Sequence, residues 1–157
     1  LQLAREISKY NVKVRYDLII DNPYDSEESL KETIRLLLQL PPPRRFNLYS
    51  LQYFPDYPLT LRALKDGHID DEEASLDSLE KRMARNWAFV PKLLPITKKQ
   101  MLHNIIWLIA YGYADDKEIK DVVFSSTVKS KGRLLVLHFR SYFRGKLQHI
   151  RRLRQKK

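Results

Sequence analysis

The chain contains no cysteine. This excludes a disulfide framework, a thiolate nucleophile, a cysteine zinc site and any iron–sulfur cluster ligated by these residues. Glycine is scarce, with four in 157 residues and none clustered, so neither common glycine-rich phosphate loop is present. The four histidines, His68, His103, His138 and His149, lack the spacing of metal ligands. Ser50 has no neighbouring histidine and aspartate that would suggest a hydrolase triad. No apolar run approaches the ~18 residues of a membrane-spanning helix. The longest candidate, 102–114, is broken by His103, Asn104 and Gly112. No secretion signal is recognisable at the start, and with no cysteine this points to the cytoplasm. The opening Leu-Gln-Leu-Ala-Arg-Glu reads as mid-helix, as expected of a piece cut from something longer.

Acidic residues are missing from one region. Residues 129–157 hold 11 lysines and arginines and no aspartate or glutamate. The rest of the chain holds 18 basic and 19 acidic side chains, so the net charge of +10 belongs to the tail. The chain as a whole is 43% hydrophobic and 11% aromatic, enough for a core.

Residues 11–20 alternate apolar and polar (Val12, Val14, Tyr16 and Leu18 against Lys13, Arg15 and Asp17) and end on Ile19-Ile20, which suits a strand entering a buried sheet. A proline-bearing loop, 21–25, follows. Asp25 reads as the N-cap of the next helix, with Glu28 closing a capping box, and Leu30, Ile34, Leu37 and Leu38 form its apolar face. Pro41-Pro42-Pro43 stops that helix. Residues 46–54 read as a second strand, 55–58 as a loop and 59–65 as a short helix. Strand, loop, helix twice over is the pattern of a parallel α/β sheet or barrel.

Beyond residue 70 the pattern turns helical, over 71–86, 98–111 and 115–124. The last segment reads as one helix from about Gly132 rather than a hairpin, because Phe139, Phe143, Leu147, Ile150 and Leu153 recur at helical spacing. Three roles suit such a basic amphipathic helix: docking its apolar stripe on the body with a solvated charged face, lying on an anionic membrane surface as a peripheral protein, or binding RNA. Docking is the expectation.

Two stretches carry a resemblance. Tyr16-Asp17-Leu18-Ile19-Ile20-Asp21-Asn22-Pro23-Tyr24-Asp25-Ser26-Glu27-Glu28 is similar to the fifth-strand region of radical S-adenosylmethionine enzymes, where an apolar strand meets a Gly/Asp-x-Pro-x-x-Thr/Ser-x-Glu loop. Asn47-Leu48-Tyr49-Ser50-Leu51-Gln52-Tyr53-Phe54-Pro55-Asp56-Tyr57-Pro58-Leu59, with Ala63-Leu64-Lys65-Asp66-Gly67 after it, resembles that family's sixth strand and its Phe-Pro-Gly-Thr-x-Leu loop. The Asp-Asn-Pro form and the proline helix stop look most like the branch with a cobalamin-binding domain.

The resemblance implies an α/β fold. Residues 1–70 would be a partial (β/α) barrel segment with parallel strands, from the C-terminal half of the barrel, and 71–157 an α-helical C-terminal extension. It also implies S-adenosylmethionine and a [4Fe–4S] cluster in the parent enzyme, a 5′-deoxyadenosyl radical as its oxidant, and cobalamin as a further cofactor. The remainder of the barrel would be the partner, and the substrate a small molecule. By position, Ile19, Asp21 and Asn22 would lie beside the adenosine, Tyr53 and Phe54 near adenine, and Gln52 toward substrate.

The sequence departs from the family in three respects. The cluster cysteines are absent, so this chain holds no cluster and no independent activity is expected. Asp21 and Asp56 stand where many members have glycine. Aspartate tolerates a left-handed backbone better than most residues, so both turns are expected to survive. Asp17, Asp21 and Asp25, spaced four apart, do not share one strand face.

Overall fold

Two six-residue strands, β1 (Arg15–Ile20) and β2 (Arg45–Ser50), pair in parallel, with Arg15 opposite Arg45 and Ile20 opposite Ser50. They belong to a computed structural model describing residues 1–10, 12–42, 44–85, 89–94, 96–125 and 128–154, excluding the side chains of 82–85, 128–131 and 148–154. The expected strand starting at Asn11 and the proline stop at Pro43 therefore lie partly outside the described residues.

Both strands are shorter than their sequence patterns. Residues 12–14 alternate in hydropathy, but among the described residues no strand pairs with them. At the other end, the Leu51 N–H still donates to the Ile20 carbonyl at 2.9 Å. Asp21 then enters the left-handed region (φ 70°), β1 ends, and the paired register closes at Ile20 and Ser50.

Alternation gives the sheet one covered and one open face. Ile20, Phe46 and Leu48 are buried, with Tyr16 and Leu18 packed against the same cluster. Arg15, Asp17, Ile19 and Arg45 point the other way and are exposed, with Asn47 donating to Asp17 across the strands at 2.6 Å. The outer edge of β2 is touched by later chain, since the Phe89 N–H donates to the Leu48 carbonyl at 2.8 Å. Among the described residues no strand pairs with the outer edge of β1.

A pair of strands is marginal without support, and helices supply it. The first, α1 (Gln2–Ile7), buries nothing. Next, α2 (Glu27–Gln39) buries Leu30, Ile34, Leu37 and Leu38, the expected face. Its cap is corrected by the structure. Ser26 rather than Asp25 is the N-cap, and Ser29 rather than Glu28 closes the box. Both serine hydroxyls accept the other's backbone N–H at 3.0 Å, a reach short enough that a longer acid is not needed. Asp25 instead donates its backbone N–H to the Asn22 carbonyl, and Glu28 pairs with Lys31.

Helices α3 (Pro58–Lys65) and α4 (Asp71–Ala74) help enclose a small cluster of Tyr53, Ala63, Ile69 and Ala74. The single helix expected over 71–86 is two. Ser75 leaves the helical region (ψ 153°), and its hydroxyl accepts the Ser78 N–H, capping the new helix α5 (Leu76–Arg85). Asn86 lies outside the described residues.

Helix α6 (Lys98–Ala110) buries Leu102, Ile105, Ile106, Trp107, Leu108 and Ile109 and packs on α2, on β2, on α7 (Asp116–Val123) and on α8 (Val128–Arg154). Helix α8 begins four residues before Gly132, so no hairpin forms there. One hydrophobic cluster joins β1, α2, β2, α6, α7 and α8. Two partly exposed bidentate pairs brace it: Arg44 to Asp116, and Arg140 to Glu118 at 2.9 Å on both oxygens. The fold is mixed α/β, with two parallel strands in an open sheet, eight helices among the described residues and a helical C-terminal part.

The docked face of α8 differs from the expected stripe. Leu134, Leu137, His138 and Ser141 are buried against the body, while Phe143 and Leu147 are 61% and 58% exposed. Among the described residues of the expected stripe only Phe139 is half-buried, and the docked face instead pairs two leucines in the main core with the hydrogen-bonded His138 and Ser141. Ile150 and Leu153 lie outside the described side chains.

Candidate functional site at the carboxyl ends of the strands

The turn after each strand starts from an aspartate-dependent backbone shape. Asp21 (φ 70°) and Asp56 (φ 64°) are the non-glycine residues with positive φ among those described. These are the two positions where aspartate replaces an expected glycine. Substituting Asp56 tests the geometry directly. Asp56→Gly should be neutral to stabilising by up to about 1 kcal/mol, and Asp56→Val should cost about 1–2 kcal/mol, because a β-branched side chain clashes in this region. Urea denaturation of both variants checks it.

After β1, the Asp21 N–H donates to His103 Nδ1 at 3.1 Å, and the Asp21 carboxylate pairs with Lys92. Asn22 forms a local turn, its Oδ1 accepting the Tyr24 N–H at 3.1 Å. Tyr24 ties the loop to the end of α3, its hydroxyl donating to Asp66 at 2.9 Å while Arg62 lies 4.5 Å over the ring and His68 meets it edge-on. Desolvation first, then the Asp66 carboxylate, raises the Tyr24 pKa, so the phenol stays protonated. Lysines at the start of α6 complete the frame: Lys98 pairs with Glu27 at 2.6 Å and Lys99 donates to the Pro23 carbonyl at 3.3 Å.

After β2, the Gln52 side-chain amide donates to the Ser50 carbonyl at 3.0 Å. The Thr60 hydroxyl, from α3, donates to the Phe54 carbonyl at 2.6 Å and holds the Phe-Pro-Asp-Tyr-Pro loop.

Six residues were expected to meet cofactor or substrate. Ile19 is 69% exposed on the open face of the sheet. Asp21, Asn22 and Gln52 sit half-buried on the same rim, just past the paired ends Ile20 and Ser50. Tyr53 is withdrawn into the small cluster with Ala63 and Ile69. Phe54 is on the surface beside Tyr57, ring centroids 5.7 Å apart. The structure therefore brings four to one rim and turns Tyr53 to packing. Among the described residues no group of three histidine or carboxylate side chains is placed to hold a metal ion.

Sequence reasoning missed two participants, His103 and Lys92. Each lies more than seventy residues from Asp21, and only tertiary folding joins them. The one local signal is a polar residue in an apolar helix. Desolvation is the main cause that lowers the His103 pKa below the ordinary histidine value, outweighing the nearby Asp21 and Asp25. Its buried, neutral ring accepts the Asp21 N–H and fixes the turn. The sign for stability follows from burial. The unfolded chain protonates this histidine near pH ~6.5 and the folded chain only lower, so stability present above ~6.5 is lost as pH falls toward the folded-state pKa. Urea midpoints at about pH 7.5 and about pH 5.5 should differ more for the parent than for His103→Gln, which keeps an acceptor but does not titrate.

No protein-family model, curated protein or solved structure matches the chain.

Proposed function

We propose that this chain is the C-terminal part of a radical S-adenosylmethionine enzyme of the cobalamin-dependent branch, acting in methyl transfer or carbon-skeleton chemistry. In this reading it supplies part of the adenosine and substrate side of the barrel. The observation that carries it is the repeated unit: two parallel strands, each followed by a turn with aspartate in the left-handed region and then an amphipathic helix. The exposed face around Ile19 and the outer edge of β1, with which no strand pairs among the described residues, suit a sheet that continues into the remainder of the barrel.

The residues fit the cofactors unequally. With no cysteine, the chain offers a [4Fe–4S] cluster no thiolate, so no redox step is assigned to these residues. The rim fits a nucleoside better. Ile19 offers an exposed apolar surface at the end of β1, next in sequence to the turn that Asp21 and Asn22 shape. The role left to the chain is binding, orientation and exclusion of water.

The test uses the native polypeptide carrying this sequence. After anaerobic loading with iron and sulfide and addition of a reductant, it should convert S-adenosylmethionine to 5′-deoxyadenosine, while the 157 residues alone should bind no iron. Ile19→Asp should raise the KM for S-adenosylmethionine about tenfold, the effect of ~1.4 kcal/mol of lost binding, with a smaller change in kcat. A native polypeptide with no cysteine triad ahead of this segment, or one that makes no 5′-deoxyadenosine, overturns the reading.

A further inference from the structure

Helix α8 has a second apolar face that stays exposed among the described residues. Its inner side buries Leu134, Leu137, His138 and Ser141. On the opposite side Val136, Phe143 and Leu147 recur at intervals of seven and four and are 59%, 61% and 58% exposed. Leu135 extends this face and is 37% exposed. Arg133 and Lys146, both exposed, flank the stripe. Arg140 and Arg144 lie nearby, the first paired with Glu118 and the second 4.9 Å over the Tyr113 ring.

From this geometry we propose that α8 lies along an anionic membrane surface, its outward stripe in the headgroup boundary and its cations on the lipid phosphates. Three observations choose this occupant. Residues 129–157 carry 11 basic and no acidic side chains, so the surface complements anionic lipid. The same excess of one sign opposes pairing with a second copy, because two such faces would bring like charges together. The stripe includes aliphatic Val136 and Leu147, which neither stack on bases nor hydrogen-bond to them, so RNA would leave it unused. Among the described residues no helix is long and apolar enough to cross a membrane, so the attachment is in the surface plane.

The absence of cysteine makes the test clean. The full chain is sedimented with vesicles of equimolar phosphatidylcholine and phosphatidylglycerol, and with vesicles of phosphatidylcholine alone. Binding is expected to the anionic vesicles, to weaken as salt is added, and to be much weaker for the neutral ones. The Phe143→Ser/Leu147→Ser pair should bind at least about tenfold more weakly. Both side chains are exposed, so the circular dichroism spectrum should be unchanged. An environment-sensitive dye on Phe143→Cys should shift to the blue with anionic vesicles, and the same dye on Lys117→Cys, at the start of α7, should not. Three results would overturn the proposal: no sedimentation at low salt, equal binding by the double variant, or a dimer or an RNA complex that the double variant abolishes while vesicles capture nothing.

Discussion

Asn104→Ala is expected to lower the unfolding free energy by about 3 kcal/mol or more, measured by urea denaturation, because it empties a fully buried four-bond junction. Asn104 on α6 donates to the Lys92 carbonyl at 2.8 Å and to His138 Nδ1 at 3.0 Å. Its Oδ1 accepts from the Lys92 N–H and from Gln100 Nε2, each at 3.2 Å. The His138 tautomer follows from its neighbours. The Leu93 carbonyl, 3.0 Å from Nε2, only accepts, so Nε2 carries the proton and Nδ1 is left to receive the Asn104 amide. One side chain thus ties the segment after Phe89 to α6 and α8 at once. Asn104→Leu separates hydrogen bonding from volume. If packing dominates, leucine should restore stability. If the network dominates, leucine should be as costly as alanine, since the same partners are left without bonds. We expect the second outcome, and an Asn104→Ala/His138→Ala cycle should show coupling of about 0.5–3 kcal/mol.

Two glycines on α8 should respond to substitution with opposite signs. A Cβ on Gly145 would sit 2.8 Å from Pro91 Cδ and 3.1 Å from its Cγ, closer than a ring with little freedom to move allows. Gly145→Leu should therefore cost about 1–3 kcal/mol through overpacking, despite the gain in helix propensity. A Cβ on Gly132 meets nothing within 4 Å, so Gly132→Ala should stabilise by about 0.5–1 kcal/mol. Thermal or urea unfolding of the two variants reads both effects. A Gly145 variant as stable as the parent would mean that α8 does not approach residue 91 this closely.

These predictions rest on contacts of unequal legibility in the sequence. The α2 face could be read from the spacing of Leu30, Ile34, Leu37 and Leu38, because a helix repeats within one segment. The left-handed turns were expected only through the resemblance, which has glycine at both positions, and aspartate tolerates that backbone better than most residues. The cap at Ser26 was missed because Asp25, Ser26, Glu28 and Ser29 are all competent capping residues, and only the path of the incoming loop selects among them. The outward stripe on α8 was read as the docked one for a similar reason. Helical spacing identifies an apolar face but not which way it points when a second face, here Leu134 and Leu137 with His138 and Ser141, can also pack.

Short-range physics was enough to establish the α/β grammar and the helix of the basic tail, since each follows from periodicity within one element. Tertiary structure alone decided that His103 and Lys92 join Asp21, that Tyr53 turns inward and that Asn104 links three segments. Those contacts depend on which distant groups share a desolvated space, and hydrogen bonding there is set by what the neighbours lack.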